Sequence, residues 1–282
     1  MRVTCIVDDA VDGHSHFWGE HGVSFLIETA HGRVLFDTGQ SGTVLMHNLQ
    51  EAGVDPAHID ALAISHAHYD HTGGLGALLL KTGPVPLFAH PDVFRERFSR
   101  RDGRMEKTGP AFTRDELEPQ LQLCLSHKPE EVLPGLLTTG EIASRSEPEG
   151  RSPRHLMREG DGWIADPYRD DMSMVLKVGG GWVLVCGCCH AGLLNTLHHV
   201  REHFGENIVA VLGGMHLGDM TNEQMKHIID VLRSYGPPRL YPNHCTGLRA
   251  YIALASAFGD RVAPCPGSAV VSFEDVAQPR AT

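Results

Sequence analysis

Aromatic side chains are scarce in this chain, 6% of 282 residues, with 5 tyrosines and 3 tryptophans. Basic residues are also in deficit, 24 against 35 acidic ones, leaving a net charge of −11. So acidic a surface repels a polyanion, and the basic stripe of a nucleic-acid binder is missing, so DNA and RNA are not expected partners. No apolar run reaches the roughly 20 residues that a membrane-spanning helix needs. The opening Met-Arg-Val-Thr-Cys-Ile-Val-Asp-Asp lacks the long apolar stretch of a secretory leader. Cysteines number 7, an odd count, with three of them between Cys186 and Cys189. That excludes a regular disulfide framework and makes a reducing cytoplasm the expected location.

Histidine is what the chain has in excess, 19 residues. His198, His199 and His203 fall in a predicted helix and read as surface residues. Others cluster where short strands end: at 66–71, in Cys189-His190, in Met215-His216 and in Asn243-His244. Loops at strand ends are where sites are built. The hydrophobic content of 41% and charged content of 21% are those of a globular chain with a sizeable core.

Apolar runs at 23–28 and 33–37 flank Ala30-His31-Gly32 and predict a hairpin. Residues 41–52 set Val44, Leu45, Leu49 and Ala52 on one face, a helix stopped by Gly53. A buried strand at 60–65 runs into His66, followed by a helix at 73–81 and a strand at 85–89. The last third repeats this cadence, with strands at 172–178, 181–188, 207–212, 239–241 and 268–273 and helices at 193–204, 222–235 and 248–258. Two such halves predict an α/β fold, two sheets face to face with helices outside. The middle is rich in Gly, Pro, Arg and Glu, with brief strand signals such as 121–125. It predicts an inserted cap at about 91–166 within a single domain spanning 1–282.

Ser65-His66-Ala67-His68-Tyr69-Asp70-His71 carries the chemistry. On an extended backbone His66 and His68 point the same way. The turn beyond brings Asp70 and His71 round to a second position, and Thr72-Gly73-Gly74 permits the tight bend. Three imidazoles and a carboxylate this close provide half the ligands for two borderline-soft divalent ions.

This run resembles the metallo-β-lactamase superfamily, whose signature is His-x-His-x-Asp-His after a buried strand. The upstream Leu35-Phe36-Asp37-Thr38-Gly39 is similar to that superfamily's Asp-bearing turn. The resemblance implies an αββα sandwich with two metals at one edge, most simply zinc, with iron or manganese as alternatives. His21-Gly22-Val23-Ser24-Phe25-Leu26-Ile27-Glu28, Gly187-Cys188-Cys189-His190-Ala191-Gly192, Gly213-Gly214-Met215-His216-Leu217 and His244-Cys245-Thr246-Gly247 look like one branch of it. Archaeal members of that branch resemble 7,8-dihydropterin-6-ylmethyl-4-(β-ribofuranosyl)aminobenzene 5′-phosphate synthases, and bacterial members are called metal-dependent hydrolases.

Superfamily members complete the site with a third His, a bridging Asp and a last His. His244 fits the last position. Cys188 stands where the bridging Asp is expected, and His190 lies two residues on. The expected metal ligands are therefore His66, His68, Asp70, His71, His190 and His244. Asp70 and His216 are the expected catalytic residues, His216 as ligand or substrate contact, and a Cys188 thiolate is a further candidate for the bridge or for a substrate contact. Asp170 and Asp171 are weaker ligand candidates. Cys186-Gly187-Cys188-Cys189-His190 also matches the haem-attachment pattern, but it ends an apolar strand rather than an exposed loop.

Arg95, Arg97, Arg100, Arg101, Arg104 and Lys107 lie near the expected mouth of the site, interleaved with Asp92, Glu96, Asp102 and Glu106. A salt-bridged, solvated helix is one reading of this run. An anion clamp led by Arg100 and Arg101 is the other, since Arg grips phosphate bidentately. The expected activity is hydrolysis of a small anionic substrate, phosphorylated or an ester or lactone, by metal-bound hydroxide. The alternative is a transferase joining a dihydropterin methyl diphosphate to a ribofuranosylaminobenzene phosphate. A ligand sensor without catalysis is the third class, disfavoured by the intact ligand run.

Overall fold

Period-two alternation along the strands separates the layers. Phe25 and Ile27, with Val34 and Phe36, face one way and pack with Met174, Leu176, Val183, Val185 and Leu212 of the second half. Leu26, Leu35 and Leu62 face the other way, onto Leu45, Leu49, Leu75 and Leu78 of two helices. In the second half Leu184 and Val211 turn outward onto Leu193, Leu197, Met225, Ile228 and Leu254. The layers run helix, sheet, sheet, helix in this computed structural model, which describes residues 1–110 and 112–274. Phe25 and Phe36, fully buried between the sheets, contribute about 2–3 kcal/mol each.

The first sheet has the spatial order Val270–Ser272, Arg2–Val7, Ser24–Thr29, Gly32–Phe36, Ala61–Ala63, Pro86–Ala89, Gln122–Leu125. The second runs Arg239–Asn243, Ile208–Gly214, Gly181–Cys186, Ser173–Val178, Leu136–Thr138, Glu131–Leu133. Gly32–Phe36 pairs in parallel with Ala61–Ala63, and Gly181–Cys186, Ile208–Gly214 and Arg239–Asn243 are likewise parallel. Parallel strands deliver their carboxyl ends to one edge of each sheet, and the histidine-bearing turns follow those ends.

The middle of the chain is not one excursion. Gln122–Leu125 joins the first sheet, and Glu131–Leu133 and Leu136–Thr138 join the second. Arg97–Arg101, Arg104–Lys107, His155–Glu159 and Gly162–Ala165 form a separate four-stranded sheet, the cap proper. The basic run is thus a hairpin, not a helix. Asp102 and Gly103 sit at its tip with φ of 47° and 76°, and two successive positive-φ residues of the Asp-Gly type match the twist of a tight hairpin. Among the described residues no helix is long and apolar enough to cross a membrane.

Candidate metal centre

Strand Ala61–Ala63 is shorter than the sequence predicts, so His66 and His68 sit in a loop, and His68 caps the short helix Tyr69–Thr72. The strand stops because Asp37 captures the next backbone. Its Oδ1 accepts from the Ser65 amide at 2.7 Å, and its Oδ2 accepts from Ser65 Oγ at 2.7 Å. The same Oδ2 lies 2.7 Å from His71 Nδ1. Gly187 makes this possible, because a Cβ there would stand 2.2 Å from Ser65 Oγ and 2.8 Å from Asp37 Oδ2. The ring nitrogen that His71 keeps free, Nε2, faces Cys188 Sγ at 3.2 Å and Asp70 Oδ2 at 3.6 Å.

The other imidazoles follow the same rule, one nitrogen tied back and one turned inward. His190 Nδ1 donates to the Gly150 carbonyl at 2.8 Å, and its Nε2 has no hydrogen-bond partner among the described residues. His66 Nδ1 lies 2.9 Å from Ser65 Oγ, and its Nε2 lies 3.0 Å from His68 Nδ1. Donor atoms of His66, His68 and His190 fall within 4.8 Å of one another. Burial lowers the pKa of all three well below the ordinary histidine value. They stay neutral, the form that ligates.

A second group surrounds Asp70. His244 Nδ1 is tied to Asp9 Oδ1 at 2.8 Å, and its Nε2 lies 3.4 Å from Asp70 Oδ2. His21 Nε2 approaches the same oxygen at 3.4 Å. Burial opposes ionisation of Asp70, but His71 and His244 outweigh it and hold the carboxyl well below its usual range. Cys188 stands between the groups: its sulfur clusters with His66 and His71, with His190 and His216, and with His244 and Cys245.

His216 follows strand Ile208–Gly214 with φ of 46°, its ring 4.3 Å from that of His190 and its Nδ1 without a partner among the described residues. A Cβ on Gly150 would stand 2.6 Å from His216 Cβ, so this glycine both holds His190 and admits His216. Burial works against charging His216, and Cys245 beside it more than reverses that, raising its pKa. Asp37, Tyr168, Cys189, His216 and His244 all have positive φ, and such strain collects at functional sites. Asp170 and Asp171 serve as anchors: Asp170 Oδ2 accepts from the Ala67 amide at 2.9 Å and Asp171 Oδ2 from the Ala191 amide at 2.8 Å.

His68, Asp70, Cys188, His190, His216 and His244 floor a cavity of about 350 Å³, roofed by Ser99, Arg101, Glu106, Lys107, Thr108 and His155 of the cap. Alternation along Arg97–Arg101 brings Arg101 to the cavity and leaves Arg100 out of its lining. Arg97 is no anion clamp. It is buried, with Nε 2.8 Å from Asp166 Oδ2 and Nη2 2.6 Å from Asp170 Oδ1. The sequence reading missed His21, Asp9, Cys245, His155 and Tyr168. His155 Nδ1 hydrogen-bonds Tyr168 Oη, and the Tyr168 ring stacks on His190 at 4.0 Å. Asp8-Asp9 directly after a strand and His21-Gly22 directly before one are the signals that were there to find.

Buried nitrogens without partners, His68 Nε2, His190 Nε2 and His244 Nε2 among them, cost stability unless something takes them. Neutral imidazoles, an ionised carboxylate and a thiol converging on one cavity fit divalent cations.

A family model described as the metallo-beta-lactamase superfamily matches residues 18–191, and the chain belongs to that superfamily. It is 30% identical over 265 residues, 89% of each chain, to 7,8-dihydropterin-6-methyl-4-(beta-D-ribofuranosyl)-aminobenzene-5'-phosphate synthase of Methanocaldococcus jannaschii. Among solved structures it is similar to Tm1679, a metal-dependent hydrolase of the beta-lactamase superfamily. The TM-score is 0.84 at 26% identity, covering 98% of this chain and 100% of that one. Zn2+-bound PqqB from Methylobacterium extorquens, at a TM-score of 0.60 and 12% identity over 97% of this chain and 100% of that one, shares the fold.

Proposed function

We propose that this chain is a zinc-dependent transferase joining a dihydropterin methyl diphosphate to a ribofuranosylaminobenzene phosphate, or a close chemical pair of that kind. The observation that carries this reading is the 30% identity to the archaeal synthase over 89% of both chains. In the reaction an amine nitrogen attacks the methylene carbon, the carbon–oxygen bond breaks, and diphosphate leaves with the electron pair. His66, His68 and His190 would hold one ion, and Asp70, His71 and His244 the other, with Cys188 between them. Bound there, divalent ions supply neutralisation of the departing diphosphate. Arg101 and Lys107 line the opposite wall with Glu106 between them, and the two cations outnumber the one carboxylate in favour of a phosphate. His216 presents an unpartnered nitrogen near the cavity and supplies an acceptor for the proton the amine loses.

Hydrolysis of a small ester, lactone or phosphoester is the second reading, favoured by the likeness to Tm1679. Metal-reconstituted protein separates the two. With dihydropterin methyl diphosphate, transfer predicts diphosphate release only when the arylamine is present, with a condensed product of the summed mass less diphosphate. Release at the same rate without the amine, or turnover confined to lactones and phosphodiesters, overturns transfer in favour of hydrolysis.

A further inference from the structure

Cys245 is a sulfur donor at this centre for which neither the ligand signature nor the proposed reaction has a use. It follows His244 in the turn after strand Arg239–Asn243, is half-buried, and lines the same cavity as Cys188. The donor atoms of Cys188, His244 and Cys245 lie within 4.8 Å of one another. His244 Nε2 belongs to a fully covered side chain, lies 3.4 Å from Asp70 Oδ2, and makes no hydrogen bond among the described residues. The chain makes room for the second sulfur: a Cβ on Gly214 would stand 2.7 Å from Cys245 Sγ and 2.3 Å from the Gly187 carbonyl oxygen. The competing uses of this thiol are local, a long hydrogen bond from Sγ to the Cys188 carbonyl at 3.4 Å and the His216 imidazole beside it. Sulfur is a poor hydrogen-bond donor and, as thiolate, a strong ligand for soft and borderline cations.

We infer that the second metal position is thiol-rich, with Cys188 and Cys245 both donating, alongside His244, to one borderline-soft divalent ion such as zinc. The inference rests on the metal reading of the site and deepens it. Two sulfurs added beside His244 and the Asp70 carboxylate turn the position away from manganese and magnesium and toward zinc, cobalt and cadmium. They also place a redox-sensitive pair of thiols at the centre of the site.

Alkylation of the full chain tests this without a variant. Cys124 and Cys245 are the half-buried cysteines, and Cys124 does not line the cavity. In protein stripped by a chelator, iodoacetamide should modify both. Zinc or cadmium should protect Cys245 and leave Cys124 reactive, read by peptide mass spectrometry. Cobalt reconstitution gives the second readout, because thiolate ligands produce near-ultraviolet charge-transfer absorption. Cys245→Ser should keep its cobalt and lose about half of that intensity, one of two sulfur ligands. Metal that binds while Cys245 stays fully alkylatable, or a Cys245→Ser spectrum equal to the parent's, overturns the thiol assignment and leaves the histidine–carboxylate centre standing. A chain that takes up no zinc, cadmium or cobalt sinks both.

Discussion

On and beneath the floor of the cavity His71, His190 and His244 each commit one ring nitrogen to a fixed partner, Asp37, the Gly150 carbonyl and Asp9, and turn the other toward the cluster of donors. On the roof, Arg101 and Lys107 stand exposed on a four-stranded sheet. The protein's own partners fix the orientation of these donors, so little rearrangement would oppose metal binding. Arg101 and Lys107 are not donors to the centre and can be replaced without removing one. Arg97 is the tie between floor and roof, since it leaves the roof to pair with Asp170, whose other oxygen holds the Ala67 amide between His66 and His68.

The floor should break hardest. His66→Ala or His190→Ala should empty the first metal position and cut turnover by more than about 100-fold, beyond the loss of a supporting partner. Near-parental metal content and rate in both variants would contradict this ligand set.

The tie comes next. Arg97→Met leaves Asp166 and Asp170 buried without their cation and should cost about 3–5 kcal/mol of stability, read by denaturant titration. Burial raises the Asp170 pKa from 3.8 to about 7, with Arg97 opposing. The folded state therefore binds the extra proton between those values, and this carboxyl favours folding more as pH falls. The Arg97→Met deficit should accordingly be largest above about pH 7 and shrink below it. A pH-independent deficit would place the loss in packing instead.

Asp37→Ala tests the support behind the floor. With His71 and the Ser65 amide left unpartnered, metal affinity in a chelator competition should fall about 10- to 100-fold. The smallest effects belong to the roof. Arg101→Ala should raise KM for a phosphorylated substrate about 5- to 10-fold, the share of a charge-assisted contact that survives solvent exposure. Arg100→Ala should change neither KM nor metal content. Equal effects from both arginines would mean that the hairpin acts through its field rather than through one face.

The same division decided what could be read from residues alone. His66 to His71 fall within one short run, and the αββα layering follows from alternation that places Phe25 and Leu26 on opposite faces. Asp37 was legible through the resemblance of its turn to the superfamily's Asp-bearing one. Cys245 and His155 were not, because what makes them site residues is the convergence of distant turns, and periodicity carries no information on that. The helix reading of the basic run fails because it rests on the charges and leaves out the Asp102-Gly103 turn. Charge spacing alone fits a helix, and only the turn shows that Arg100 and Arg101 part to opposite faces.

Metal analysis of the purified full chain bears most directly on the centre. About two equivalents of zinc per chain are expected, falling to one or none when His66 or His244 is replaced by Ala. A chain that retains turnover after exhaustive chelation, with no divalent ion bound, would contradict it.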